Sequence, residues 1–483
     1  MGTGEPSRPS VEASNDRRAK VPTIGRPWKK KHWHHARGGN TVATDLTRIG
    51  QKARKDPRQA FTNLFHHVYD VENLRACFDS LGAHKATGVD GITKTEYGRS
   101  LAANLEDLSS RLRRMAFRPG AKRRSYAPKP GTAKGRPLGI SNLEDKIVEE
   151  AVKRVLEPIY ESVFEESSYG YRPERSPHMC LDELGRTIQQ KPVNYVVEAD
   201  IRSFFDKVNH EWMVKFLRQR IGDERIIRLI QRMFKSGFME DGLVHATEEG
   251  VPQGSILSPL LSNVYLHYVV DLWFSHRVRK DSRGQAYYFR FADDFVACFQ
   301  YAEDARRFEQ QLPDRLEGFG LEVATEKTRS MAFGRFAREA AQRKGEKPAE
   351  YTFLGFTHYC GKTRNGYFKL KRRTSRKKLG QSLRKMSEWA RKASRVMRKG
   401  DMLRSAQRRV QGYLNYYAIT DNTERCSYYV YRVKQILFKW LNRKSQRKAY
   451  TWPGYTQALA YVGWPTPRIR KDLNPCRRAE LNQ

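Results

Sequence analysis

Two adjacent acidic residues, Asp293 and Asp294, stand inside an otherwise apolar stretch at residues 286–299. Aromatic residues alternate along the chain on either side of the pair, which predicts a β-hairpin with the two carboxylates at its tip. Ionised carboxylates in apolar surroundings require a cation partner. Because divalent metal ions prefer oxygen ligands, the pair predicts a metal site.

A third carboxylate, Asp200, ends a β-rich run at residues 195–201. A single Asp at the end of a strand is most often a cap or turn residue. If its strand neighbours the acidic hairpin in one sheet, however, Asp200 converges with Asp293 and Asp294. Such a cluster holds two divalent ions about 4 Å apart, of which one activates a 3′-hydroxyl and the other stabilises the leaving pyrophosphate. We therefore expect two Mg²⁺ ions, with Mn²⁺ as a substitute, and nucleotidyl transfer as the reaction.

The segment at residues 127–140 predicts a strand, a glycine-rich basic turn and a second strand. Lys129, Lys134 and Arg136 supply the positive charge that a clasp for a triphosphate needs. Basic glycine-rich turns are common, so this segment taken alone predicts only a hairpin. A second loop, at residues 250–259, carries the polar side chain of Gln253 with no evident structural need for it.

The net charge of the chain predicts the kind of molecule that it binds. The 483 residues include 91 Lys and Arg against 53 Asp and Glu, a net charge of +38, and 39% of the residues are apolar. A long polyanion such as a nucleic acid is the favoured partner, and an acidic protein or a lipid surface is the alternative. The six cysteines are widely separated, which argues against a zinc site and favours a reducing compartment. No apolar run is long enough to span a membrane, so we expect a cytoplasmic protein.

Basic segments lie at both ends of the chain. The first 60 residues predict a flexible basic arm, and their His-rich run at residues 29–35 is better explained as a solvated charge run than as a metal site. From residue 369 onward, three runs of helical periodicity have faces crowded with Lys and Arg, which predicts a helical region that binds a polyanion. Residues 321–328 predict a strand. The aromatic residues near the C-terminus that could stack on bases, or form a small core, are Trp452, Tyr455, Tyr461 and Trp464.

From about residue 71 to the C-terminus, the order and spacing of short blocks resemble the group II intron-encoded reverse transcriptases, also called intron maturases. The blocks are Lys129-Pro130-Gly131 with Arg136-Pro137-Leu138-Gly139-Ile140, Tyr169-Gly170-Tyr171-Arg172-Pro173, Ala199-Asp200-Ile201 with Phe204-Phe205-Asp206, residues 250–259, residues 291–294, Glu326-Lys327-Thr328, Phe353-Leu354-Gly355-Phe356 and Gly412-Tyr413-Leu414-Asn415-Tyr416-Tyr417.

The resemblance implies an α+β fold of the right-hand polymerase type. Fingers and palm with an antiparallel sheet are followed by an α-helical thumb, called domain X, and a basic C-terminal DNA-binding region. The implied domains are an N-terminal arm at residues 1–60, fingers and palm at 61–365, the thumb at 366–442 and the nucleic-acid-binding region at 443–483.

The resemblance also implies roles for individual residues. Asp200, Asp293 and Asp294 are the implied catalytic metal ligands, with the carbonyl of Ile201 as an additional ligand. The implied nucleotide-binding residues are Lys129 and Arg136 on the triphosphate, Phe205 under the sugar, Gln253 on the incoming nucleotide and Lys327 near the site. The ring of Phe205 would clash with a 2′-hydroxyl and so select deoxynucleotides. The turn at residues 353–356 resembles the primer grip.

The implied activity is RNA-directed DNA polymerisation with dNTPs, an RNA template and a DNA primer in the bacterial cytoplasm. The same protein is expected to bind intron RNA, to assist splicing as a maturase, and to support insertion into target DNA by target-primed reverse transcription. One alternative is a stand-alone host reverse transcriptase in defence or DNA repair. Another is an RNA-binding splicing cofactor whose polymerase activity is dispensable.

The sequence departs from the family pattern in two places. Phe291 stands where Tyr is more usual, and the loss of that hydroxyl leaves metal binding intact. The sequence also lacks the Cys/His-rich endonuclease domain that many relatives carry. We therefore expect no second-strand cleavage, and integration through single-stranded or otherwise opened target DNA.

Overall fold

The computed structural model describes residues 40–127, 135–240, 242–246, 249–443 and 449–476. Helices and mainly antiparallel sheets are mixed along these residues, which confirms the expected α+β class. None of the described helices combines the length and the apolar character that a membrane crossing requires.

The described strands are β1 Lys122–Ala127, β2 Arg136–Ile140, β3 Tyr195–Asp200, β4 Phe238–Glu240, β5 Leu243–His245, β6 Ala286–Phe291, β7 Asp294–Phe299, β8 Arg329–Ala332, β9 Glu350–Phe353, β10 Phe356–Lys362 and β11 Phe368–Thr374. The described helices are α1 Asn40–Lys55, α2 Phe65–Tyr69, α3 Val71–Ser80, α4 Lys94–Gly98, α5 Leu101–Arg113, α6 Leu143–Tyr160, α7 Pro177–Gln190, α8 Phe204–Lys207, α9 His210–Arg218, α10 Glu224–Lys235, α11 Ser258–Leu266, α12 Arg279–Asp281, α13 Ala302–Glu317, α14 Ala337–Arg343, α15 Arg376–Val396, α16 Lys399–Tyr417, α17 Thr423–Leu441 and α18 Trp452–Tyr461. Two π-helical segments, His267–Asp271 and Phe274–Val278, connect α11 to α12.

An antiparallel sheet with the strand order β6-β7-β3-β8 carries the acidic residues. Its strand β7 is buried on both faces. Phe295 and Phe299 pack into a core shared with the helices of the N-terminal half, whereas Val296 and Cys298 pack into a core shared with α7 and β9 to β11. Burial on both faces explains why β7 is a continuous apolar run rather than an alternating one.

The N-terminal half is more ordered than the sequence predicts. Residues 40–55 form α1, which packs against α6 and buries Ile49 and Ala53. The prediction of a flexible arm over residues 1–60 is therefore wrong for this helix, because its buried apolar residues have a hydrophobic partner surface that the sequence alone does not reveal. Residues 1–39 lie outside the described residues.

The strand predicted at residues 321–328 is also wrong. Val323 makes only an isolated bridge with Ile201, and the amide of Ala324 donates to the Asp200 carbonyl at 2.9 Å. The amides of Lys327 and Thr328 then both donate to the carbonyl of Ala324, at 2.9 and 3.0 Å, so the chain turns there. The ladder resumes only at β8, since the preceding backbone groups bond within the turn.

The C-terminal helices α15, α16 and α17 share one core with α18, to which Tyr455 and Leu459 contribute. Tyr455 is therefore a core residue, while Trp452 and Tyr461 are exposed. Strand β11 pairs along β10, so the helical region begins at residue 376 rather than at the predicted residue 366.

A segment that we call the C-terminal strap, residues 470–473, returns from α18 to the junction between this helical region and the sheets. The amide of Arg470 donates to the carbonyl of Ala418 at 2.8 Å, and Arg372 Nη1 donates to the carbonyl of Leu473 at 3.2 Å. Leu473 is buried in the core shared with α7 and β9 to β11. The strap thus joins the last described residues to the middle of the chain.

The hairpin between β6 and β7 turns at Ala292 and Asp293. Ala292 has a φ of +58°, a left-handed conformation that two-residue hairpin turns require and that is unfavourable for a residue with a side chain. The fully buried Arg290 donates from Nη1 to the carbonyl of Ala292 at 3.1 Å. This hydrogen bond holds the turn in its left-handed conformation.

Arg290 is itself held by a buried bidentate ion pair with Asp271, whose Nε–Oδ1 and Nη2–Oδ2 distances are 2.7 and 2.5 Å. Its Nη1 also donates to Asn263 Oδ1 at 3.0 Å, and Asn263 Nδ2 donates to the carbonyl of Gly170 at 2.7 Å. A Cβ on Gly170 would lie 2.2 Å from the amide nitrogen of Ala292, so the loop around Gly170 lies directly against the hairpin. The network joins α11, the adjacent π-helical segment and this loop to the acidic turn.

We expect Arg290→Met to lower the free energy of unfolding by about 3–5 kcal/mol, because it leaves Asp271 buried without a counter-charge. The matched control is Arg404→Met, which breaks an exposed Arg–Asp pair and should cost less than about 1 kcal/mol. Urea unfolding of both variants measures the difference. Similar losses for the two variants would contradict a special contribution of the buried pair.

Candidate active site

The three predicted acids meet at one end of the β6-β7-β3-β8 sheet. Asp200 on β3 lies directly opposite Asp294 on β7, and Asp293 occupies the adjoining turn. Residues opposite each other on antiparallel strands have Cα atoms about 4.5–5.5 Å apart. The sheet therefore meets the condition under which the sequence predicts that Asp200 converges with Asp293 and Asp294.

The local electrostatics show that these acids lack sufficient positive charge. The pKa of Asp293 is raised by burial and by the negative charge of Asp200. The side chain of Asp294 is exposed at the hairpin surface, and protein atoms surround its other sides. That restricted hydration, together with the charges of Asp200, Asp293 and Glu198, raises its pKa to about 7. A cation at this position would relieve the repulsion.

Lys327 supplies part of that positive charge. Its Nζ forms an ion pair with Asp200 Oδ2, and this hydrogen bond, followed by the charges of Asp200 and Glu326, raises the pKa of Lys327. The lysine comes from the turn that follows Ala324, so the same turn that ends the predicted strand delivers the ammonium group to the site. The predicted placement of Lys327 near the acids agrees with this geometry.

The donor chemistry fits a divalent metal ion. Asp200, Asp293 and Asp294 provide only oxygen atoms as ligands. The pKa values of Asp293 and Asp294 are raised, and Asp200 is paired with Lys327, so these carboxylates require a cation. Within the described ranges, no three Asp, Glu, His or Cys side chains already surround a common point. Asp200 is instead engaged by Lys327, so the three carboxylates would have to reorient around an ion. Ile201, whose carbonyl is the fourth predicted ligand, is buried directly after Asp200.

The predicted nucleotide-binding residues fall on connected backbone segments. Arg136 begins β2 and is close enough to Asp293 to lower the pKa of that carboxyl, against the larger effect of burial. Further along β2, the amide of Gly139 donates to the carbonyl of Gln253 at 2.7 Å. The amide of Val251 in turn donates to the carbonyl of Phe205 at 2.7 Å. We call Arg136, Gln253 and Phe205 the nucleotide wall; Lys129 lies outside the described residues.

Several residues near the acids were not identified by sequence reasoning. Glu198 lies two residues before Asp200 on the same strand face and pairs with Arg329 at 3.5 Å. Tyr171 is exposed beside the turn, and its pKa is raised by burial of its hydroxyl and by Asp293. The spacing of Glu198 and Asp200 is the signal that could have identified Glu198, since residues two apart share a strand face.

Parts of this chain match a known protein family and several known proteins. Residues 127–358 match the family described as "Reverse transcriptase (RNA-dependent DNA polymerase)". Protein YkfC of Escherichia coli strain K12 is 38% identical over 258 residues, which cover 47% of this chain and 66% of that protein. The group II intron-encoded protein LtrA of Lactococcus lactis subsp. cremoris is 33% identical over 222 residues, 46% of this chain and 37% of that protein.

A relative of lower identity is also an intron maturase by name. Nuclear intron maturase 2, mitochondrial, of Arabidopsis thaliana is 26% identical over 216 residues, 41% of this chain and 27% of that protein. These similarities confirm the resemblance to group II intron reverse transcriptases and maturases. The matched stretches cover just under two thirds of YkfC and little more than a third of LtrA.

In metal-free buffer, the free energy of unfolding should fall as the pH rises from about 4 to about 7. The folded chain holds a proton on Asp294 up to a pKa of about 7, whereas an unfolded Asp loses it near its ordinary value of 3.8, so raising the pH favours the unfolded state. Asp294→Asn should weaken this dependence, and Asp314→Asn, at an exposed position, should retain it. Chemical denaturation at pH 5 and pH 8 with EDTA tests both variants. An unchanged dependence in Asp294→Asn would contradict the assignment.

Proposed function

We propose that this chain, whose residues 127–358 form a reverse transcriptase domain related to those of group II intron-encoded proteins, is an RNA-directed DNA polymerase that also binds intron RNA to assist splicing. The observation that carries the proposal is the pairing of Asp200 with Asp294 across β3 and β7, with Asp293 on the adjoining turn. Acids at two neighbouring strand ends are what a metal-dependent nucleotidyl transfer requires.

The three acids would hold two Mg²⁺ ions, which activate the 3′-hydroxyl of the primer and stabilise the pyrophosphate that leaves. Arg136 lies beside Asp293 and would bind the triphosphate oxygens of the incoming dNTP, together with Lys129. Lys327 pairs with Asp200 beside this triphosphate position. Its ammonium group is therefore positioned to move onto phosphate oxygens as the acids turn to their new partners.

The sugar of the incoming nucleotide would rest on Phe205. This ring is half-buried and packs edge-on against Phe204 with 5.4 Å between the centroids. It lies two residues after Ser203, which has a φ of +46°. A ring held in this way cannot withdraw easily, so it would exclude a 2′-hydroxyl by contact. Selection of deoxynucleotides follows from that rigidity.

Binding of intron RNA would rest on the C-terminal helices. Residues 376–441 contain 17 Lys or Arg and only 4 Asp or Glu, and the helices of this region bury their apolar faces against one another. The basic residues are left on the outer faces, where a polyanion would release counterions and relieve their mutual repulsion. In this proposal the helical region is the thumb, and the exposed Trp452 and Tyr461 belong to a surface for target DNA.

Replacement of Asp293 and Asp294 by Ala should abolish extension of a DNA primer on an RNA template in Mg²⁺, because both residues would hold the metal ions. Affinity for the same RNA in a filter-binding assay should stay within about twofold, since Lys and Arg contacts with phosphates supply it. The matched control, Asp314→Ala with Glu317→Ala, removes two exposed acids and should extend normally. Extension by the Asp293/Asp294 variant at the wild-type rate would disprove the site.

Replacement of Phe205 by Ala should admit ribonucleotides, because it removes the ring that contacts the sugar. Phe205→Tyr keeps the ring and should keep the discrimination. The ratio of kcat/KM for a dNTP to that for the matching rNTP is the measurement. An unchanged ratio in Phe205→Ala would remove this residue from sugar selection.

A further inference from the structure

A buried ion pair lies beneath the nucleotide wall, on elements that hold none of the acids. Lys122 on β1 and Glu149 on α6 are 3% and 1% exposed, and Lys122 Nζ donates to Glu149 Oε1 at 2.7 Å. Ser141, just after β2, donates from Oγ to the same oxygen at 2.9 Å. The other carboxylate oxygen, Oε2, accepts the backbone amide of Ile256 at 2.9 Å. Glu149 therefore joins three separate backbone segments.

These segments carry the nucleotide wall. Ser141 follows the strand that Arg136 begins, and Ile256 follows Gln253 in the loop at residues 250–257. The loop cannot shift independently, because a Cβ on Gly254 would lie only 2.9 Å from the carbonyl of Gly139. Through Glu149, the end of β2 and the Gln253 loop share one anchor, and β2 connects this anchor to Arg136 at its other end.

The same loop holds Phe205. The amides of Gly250 and Val251 donate to the carbonyls of Val208 and Phe205, at 2.9 and 2.7 Å. A Cβ on Gly250 would lie 2.9 Å from the Phe205 carbonyl oxygen, so the two segments are in direct contact. A displacement of Ile256 would therefore be transmitted along the loop to the residue under the sugar.

Packing alone does not explain the ion pair. A buried ion pair is often replaceable by apolar residues of similar volume without loss of stability, since desolvation offsets the attraction between the charges. Burial by itself would raise the pKa of Glu149, but Lys122 and the amide of Ile256 lower it overall. An apolar side chain could fill the volume but would leave the Ile256 amide without an acceptor. The carboxylate of Glu149 therefore fixes the position of the loop at residues 250–257.

We propose that Lys122 and Glu149 are positioning residues that set the geometry of the nucleotide wall, and so determine the affinity for the incoming nucleotide and the selection of its sugar. This inference rests on the proposed polymerase function. It assigns to this pair an effect on nucleotide binding rather than on the chemical step, since the pair touches neither the acids nor the nucleotide.

The test is the double variant Lys122→Met/Glu149→Met, assayed for primer extension on an RNA template in Mg²⁺. Removing both charges together avoids an unpaired buried charge, so the urea midpoint should fall only as far as the loss of the hydrogen bonds from Ile256 and Ser141 requires. We expect KM for dNTPs to rise about 10- to 100-fold. We expect kcat to change less than about threefold and discrimination against rNTPs to weaken, because the wall is misplaced while the acids are not.

Two further variants separate positioning from general loosening. Asp223→Asn alters another buried carboxylate that accepts two backbone amides, those of Leu64 and Phe65, and it should leave KM for dNTPs unchanged. Ser141→Ala removes one hydrogen bond to Glu149 and should raise KM a few-fold; it serves as the test if the double variant does not fold.

Four outcomes decide the proposal. A rise in KM confined to the Lys122/Glu149 and Ser141 variants supports it. An unchanged KM and unchanged sugar selection in the folded double variant, or in Ser141→Ala if the double variant does not fold, would overturn it while leaving the polymerase proposal intact. An equal rise in KM for Asp223→Asn would overturn it in favour of general loosening. Absence of extension by the wild-type chain would overturn the proposed function, and this inference with it.

Discussion

The acidic turn depends on one buried ion pair. Ala292 adopts a conformation that is unfavourable for its side chain, and β7 enters the turn from a core that is closed on both faces. Arg290 stabilises the turn by donating a hydrogen bond to the carbonyl of Ala292, and Asp271 neutralises the charge of Arg290. Asp271 is the last residue of a π-helical segment, a rare geometry that is frequent at functional sites. The position of the three clustered aspartates is thus determined by buried residues outside the cluster.

A second constraint is electrostatic and works against stability. Asp200, Asp293, Asp294 and Glu198 concentrate negative charge at one sheet end, and the protein compensates for it with Lys327 and Arg329 from the turn and strand that follow α13. These cations reduce the repulsion only in part, since the pKa values of Asp293 and Asp294 stay raised. The remaining repulsion therefore lowers the stability of the fold, a cost that functional sites often carry.

Local patterns account for what the sequence predicts well. The acidic hairpin, the strand ending at Asp200 and the helices at α9, α13 and α15 to α17 follow from periodicity and from caps such as Asn209, which accepts the amide of Trp212. The proximity of Asp200 and Asp294 depended on a strand pairing that sequence reasoning had to assume. Non-local relations were missed: the docking of α1, the pairing of β11 with β10, and the contacts of Glu149 with Ile256, which are 107 residues apart. A buried Lys, Glu or Arg has no periodic signature, since its partner can lie anywhere in the chain.

The C-terminal strap has a consequence for how the protein matures. The strap completes the junction between the sheets and the C-terminal helices. Arg470 bonds to Ala418, and Leu473 bonds to Arg372. On a translating ribosome those partners emerge long before the strap does. The junction therefore stays incomplete until synthesis reaches the strap, although earlier contacts, such as the 2.8 Å hydrogen bond from Tyr416 Oη to the carbonyl of Leu354, already hold the helical region against the sheets. A nascent chain would first acquire its acidic cluster and only later the C-terminal contacts that complete the junction.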